Sequence, residues 1–143
     1  MGPSHEVTRF PDWEVRLGYY LESAEAKRFR YGTFDCCKFA AGAVEAMTGV
    51  DLMEGFVYDN ARSAKALMPK GLLPIFSQVM GKFGCPQVKP TFAQRGDLVM
   101  GFVAYRPAIG IIGLDGRRAH FVLRPKGLSG FPVSVCEMAW RVG

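Results

Sequence analysis

An acid and two thiols stand at the entrance of an amphipathic helix. Asp35-Cys36-Cys37 is followed by apolar residues at Phe39, Ala40, Ala43, Val44 and Met47. That i, i+3, i+4, i+7 rhythm makes one apolar helical face, which must lie against a second layer. Gly49 is the expected stop, because glycine readily takes the left-handed conformation that ends helices. Asp35 suits the N-cap, where a carboxylate accepts a bond from a free first-turn amide. Cys36 then falls in the first turn, where free N–H groups and the helix dipole favour a thiolate. A cysteine nucleophile needs that environment. A cysteine is also an ordinary small core residue. Adjacency sends the two thiols to different faces, one to pack inward and one to line a surface or cleft. The place directly after the cap favours Cys36 for the cleft.

The remaining pattern predicts an α+β domain with its helices first. A helix is expected over residues 12–29, with Asp12 as N-cap and Trp13, Leu17, Tyr20 and Leu21 as its buried stripe. The cysteine helix covers about 35–48, a third helix capped by Asp59 covers about 60–68, and a fourth covers 72–83. Pro69-Lys70-Gly71 separates the last two. Residues 85–94 hold Pro86 and Pro90 and read as an irregular linker. Beyond Gly96 the signal is β, with strands over 98–103, 108–114, 118–123, 133–135 and 138–142. Asp115-Gly116 is a hairpin turn, and the Gly-rich stretch 125–131 reads as a loop. The 143 residues form one domain, with a helical part at about 12–84 and an antiparallel β part at about 96–142. Phe39, Val44, Ile109 and Ile111 are expected to be buried where helix meets sheet.

Composition narrows the function classes. No apolar run reaches the ~18 residues of a membrane helix, so no membrane span is expected. The first nine residues lack the apolar core of a signal peptide, which points to synthesis in a cytoplasm. The net charge is +5, yet the Lys and Arg residues are scattered in small groups such as Lys27-Arg28 and Arg117-Arg118. No basic–aromatic stripe marks a specific nucleic-acid partner. Cys36, Cys37, Cys85 and Cys136 form no CxxC pair, and the two histidines are His5 and His120. No metal and no cofactor are expected from that set, and reduced thiols are the default.

A capped cysteine helix followed by an antiparallel sheet is the papain-like order. Tyr31-Gly32, Asp35-Cys36, Gly96-Asp97-Leu98-Val99 and Ile109-Gly110-Ile111 together resemble the NlpC family of cell-wall cysteine peptidases, over residues 31–121. The Phe-Asp-Cys-Cys opening, Arg95 to Val99 and Ala139 to Val142 resemble, more closely, small NlpC-like proteins encoded among bacteriophage tail genes. The resemblance implies a papain-like fold and a place in the virion near the tail tip. Other tail-tip proteins would be the partners, and peptidoglycan peptide cross-links the substrate. It makes Cys36 the candidate nucleophile, with Asp35 and Tyr31 in support.

One departure divides the functional readings. Where the family's strand brings its histidine base, this chain has Ala108, which cannot accept a proton. His120 is the remaining candidate base. The Asp115-Gly116 turn sets Ile111 opposite His120 and Ala108 opposite Leu123. His120 is then three positions from Ala108 along the ladder, roughly 10 Å, and on the other face. His5 is assigned no role. One reading is therefore an active peptidoglycan endopeptidase that uses Cys36 and a relocated base. The other, favoured by Ala108, is a structural tail protein that keeps the fold after its catalytic set has decayed.

Overall fold

The computed structural model describes residues 7–143, and His5 lies outside them. Four helices precede the sheet: α1 (Trp13–Ala24), α2 (Cys36–Thr48), α3 (Ala61–Leu67) and α4 (Leu72–Lys82). Six strands follow: β1 (Gln87–Val88), β2 (Leu98–Val103), β3 (Arg106–Ile112), β4 (Arg118–Leu123), β5 (Gly127–Pro132) and β6 (Cys136–Trp140). They form one antiparallel sheet in the order β1-β6-β2-β3-β4-β5. The fold is thus mixed α and β, with helices and sheet in separate stretches of chain.

α2 is the spine of the molecule. Phe39, Ala40, Ala43, Val44 and Met47 are all fully buried, as its periodicity requires. They share a core with Leu98, Met100, Ile109, Ile111 and Val122 of the sheet. The alternate residues Val99, Ala108, Ile112, Ala119 and Phe121 form a second cluster. The central strands are therefore apolar on both sides and read as nearly continuous hydrophobic runs. α1 locks onto α2 through Tyr20, whose ring stacks on Phe39 at 5.7 Å and whose hydroxyl donates to the Phe39 carbonyl at 2.7 Å. Gly49 ends α2 in the left-handed region, with φ of 80°.

Several elements differ from the sequence expectation. α1 stops at Ala24, its last buried residue, because Glu25 to Arg28 are exposed and supply no apolar face to continue it. Asp12 holds the N-cap position of α1 as expected but makes no side-chain cap bond; its carboxylate accepts from Arg16 Nε at 2.7 Å instead. Asn60, not Asp59, caps α3, in a reciprocal box with Ser63. Residues 127–132 form strand β5 rather than a loop. There Phe131 packs edge-on against Phe121 at 6.0 Å, so burial outweighs the weak strand preference of the glycines. Residues 133–135 make a 3₁₀ turn, not a strand. The supposed linker contributes β1, whose Gln87 and Val88 pair with Trp140 and Ala139. β3 starts at Arg106 because Ala104 and Tyr105 close a two-residue turn with φ of 50° and 64°.

A fully buried carboxylate ties the two ends of the domain together. Asp97 Oδ1 accepts from Arg9 Nη2 at 3.2 Å and from the Val142 amide at 3.1 Å. Its Oδ2 accepts from Arg141 Nε at 3.1 Å and from the Gln94 amide at 2.8 Å. Removing one member of such a pair leaves uncompensated charge. Asp97→Ala is expected to cost about 3–5 kcal/mol, because the Val142 and Gln94 amides would lose their buried acceptor and Arg9 and Arg141 their shared counter-charge. Phe39→Ala should cost about 3–5 kcal/mol through the cavity it leaves. Urea denaturation of each variant against the parent measures both. An unchanged midpoint would contradict the assigned burial.

Candidate functional site

The start of α2 is built from one turn of backbone. Gly32 lies in the left-handed region at φ of 84°, and any Cβ there would strike the Tyr58 carbonyl oxygen. Its amide donates to Asp35 Oδ2 at 2.8 Å, and the Lys38 amide donates to Asp35 Oδ1 at 2.8 Å. Asp35 is buried with both oxygens occupied. It therefore acts as the N-cap that the sequence predicts, on both sides of the helix entrance. Lys38 extends its ammonium to the Phe56 carbonyl at 2.6 Å, which fastens the loop carrying Tyr58.

Cys36 is half-buried and lines a cavity of about 640 Å³, whereas Cys37 is nearly closed to solvent. The two sulfurs are 3.9 Å apart. A hydrogen bond from Cys37 holds the Cys36 thiol below its ordinary pKa, against the opposing effect of burial. The backbone N–H of Ile109 on β3 adds to that stabilisation, and the Asp35 charge works against it. The same contact with Cys36, together with burial, pushes Cys37 well up. The two shifts run in opposite directions, so Cys36 is the more acidic thiol of the pair.

The cavity wall gathers residues from distant stretches of chain: the turn before α2, Tyr58, α3 and α4, the β2–β3 hairpin and the end of β4. Tyr31 is half-buried in it, edge-on to Phe29 at 4.9 Å, and its hydroxyl accepts from Arg124 Nη1 at 3.4 Å. Tyr58 is held as a neutral phenol, since burial, then the neighbouring thiols and Asp35, push its pKa far up. Sequence reasoning missed Tyr58, Arg106 and Arg124. No local pattern marks them, because they converge only in the folded chain.

Ala108 lines the same cavity as Cys36 and is buried. A methyl group therefore stands beside the thiol at the place where the resemblance puts a base. His120 is elsewhere. It pairs with Ile111 on the β3–β4 ladder, as the hairpin turn predicts, and is not among the residues lining the cavity. Its ring lies against Gly113, and burial lowers its pKa. The structure thus brings Cys36, Asp35 and Tyr31 together and leaves His120 apart. Cys85 and Cys136 are buried away from this cavity. Among the described residues no group of three or more His, Cys, Asp or Glu is placed to hold a metal ion. No helix among them is long and apolar enough to cross a membrane.

These features define a mixed α/β domain with a helix-terminal thiol opening into a cavity between helices and sheet. The chain belongs to the family described as Domain of unknown function (DUF6950), whose model matches residues 8–142. No curated protein matches the chain.

The difference between the two thiols has a measurable sign. Alkylation of Cys36 by iodoacetamide should rise with pH through a midpoint below the ordinary thiol value of about 8.5. In Cys37→Ala the hydrogen bond that favours the thiolate is gone, so the midpoint should move upward. A midpoint unchanged or lowered in that variant would show that Cys37 is not the donor.

Proposed function

We propose that this protein is a bacteriophage tail-tip protein built on an NlpC-type, papain-like fold, in which peptidoglycan hydrolysis is weak or lost. The Asp35-Cys36 opening of α2 and the Gly96-to-Val99 and Ile109-to-Ile111 segments support the family reading. The core that α2 shares with β2 and β3 is in keeping with it. The observation that carries the functional part is Ala108: it lines the cavity with Cys36, and His120, the histidine among the described residues, does not.

A papain-type site works as a unit. The thiol gives its proton to an imidazole, and the imidazole later protonates the departing amine. Here the helix terminus, Cys37 and the Ile109 amide already favour the Cys36 thiolate. The same groups offer nothing to protonate a leaving amine. Tyr58 is a phenol held far from ionisation, and Asp35 is committed to two backbone amides. General acid–base help contributes roughly 10²–10⁴-fold, so its absence leaves a slow residual rate at most. The lowered pKa of Cys36 is the one observation that favours the competing reading, an active endopeptidase for local cell-wall degradation during infection.

Release of soluble muropeptides from purified peptidoglycan separates the two. The wild-type protein should release little, and Ala108→His should raise the rate by supplying an imidazole beside Cys36. Rapid release by the wild type that is abolished by Cys36→Ser would overturn the degenerate reading in favour of the active one.

A further inference from the structure

The cavity carries a charge pattern that a thiol site does not require. Arg106 opens β3 at one wall and Arg124 follows β4 at another, and both side chains are exposed. Neither is ion-paired with a carboxylate among the described residues. Arg124 instead leans over the Tyr31 ring at 5.7 Å and donates to its hydroxyl, which fixes the guanidinium at the cavity wall. Asp35 is the acidic residue of the lining, and its oxygens face the Gly32 and Lys38 amides. The same lining includes the apolar side chains of Met68, Leu72, Val122 and Leu123. The volume of about 640 Å³ lies within the range of small-molecule sites.

We propose that this cavity binds a ligand with a carboxylate on a short apolar body, the carboxylate held by Arg106 and Arg124 and the body laid along the wall toward the Cys36 sulfur. Guanidinium forks match carboxylates in geometry as well as charge. This rests on reading the cavity as the domain's ligand groove, and it gives that groove a substrate class. It requires no turnover, so it holds for a binding site that has lost its hydrolytic step.

The test uses the thiol as reporter. Iodoacetate and iodoacetamide transfer similar groups to a thiolate, but one carries a carboxylate and the other is neutral. Their rate ratio at Cys36, assigned by mass spectrometry, cancels any change in thiolate fraction. For a small free thiol such as glutathione the anionic reagent is the slower. At Cys36 the ratio should favour iodoacetate by roughly three- to tenfold over the glutathione ratio, and added salt should shrink the preference. Arg106→Gln and Arg124→Gln should each lower it, while Arg117→Gln, at the distant β3–β4 turn, should not. A ratio equal to that of glutathione, or an equal fall in Arg117→Gln, overturns the carboxylate site while leaving the muropeptide result to judge hydrolysis separately. If neither reagent labels Cys36, the groove itself is overturned.

Discussion

The carboxylate of Asp35 is shut away from water and binds two backbone amides, one before the helix and one inside it. The start of α2, and with it the position of Cys36, follows from that. A buried carboxylate lacking such partners would cost several kcal/mol, so the turn and the helix start must form together. The turn in turn demands Gly32, because the Tyr58 carbonyl occupies the space of any side chain there. Tyr58 is thereby fixed beside the thiols, and α2 is fixed in the orientation that points Cys36 at β3. Mutation of Asp35 would therefore disturb the site by geometry before it altered any charge.

How much of this was legible in the sequence depends on range. The cysteine helix was, because cap, stripe and glycine stop are encoded within a few residues. The β3–β4 register was too, since Asp115 accepts from the Arg117 and Arg118 amides and pins the turn that sets Ile111 opposite His120. β5 was not legible. Its glycines read as loop, and its reason to be a strand is the free edge of β4 and the Phe121 ring. The end of α1 was overrun for the converse reason: Glu25 to Arg28 suit a helix locally, but they are exposed and carry no apolar face to bury. The acid and thiol of the site could be read from the cap. Arg106, Arg124 and Tyr58 could not, because their convergence is a product of the whole fold.

The adjacent thiols separate two properties that cysteine enzymes combine. A nucleophile needs a stabilised anion, which Cys37 and two backbone features supply at Cys36. Turnover needs a group that takes and returns a proton, and Ala108 supplies none. On the proposed reading, a cavity with the first property and without the second would hold a ligand near the Cys36 sulfur without consuming it. Fold alone does not choose between the proposed outcomes, and the side chain at position 108 on β3 is where they divide.

The Asp97 cluster has a mechanical consequence. Arg9 Nε donates to the Val142 carbonyl at 2.7 Å, and both residues bind the same carboxylate. A pulling force applied between residues 9 and 142 would therefore load a short clasp of ion pairs and hydrogen bonds before any strand of the sheet felt tension. Its carboxylate is closed to solvent while both arginines reach the surface, and water admitted to Asp97 would weaken the bonds that share it together. The sheet behind it is thus guarded by a latch that opens abruptly rather than by one that stretches.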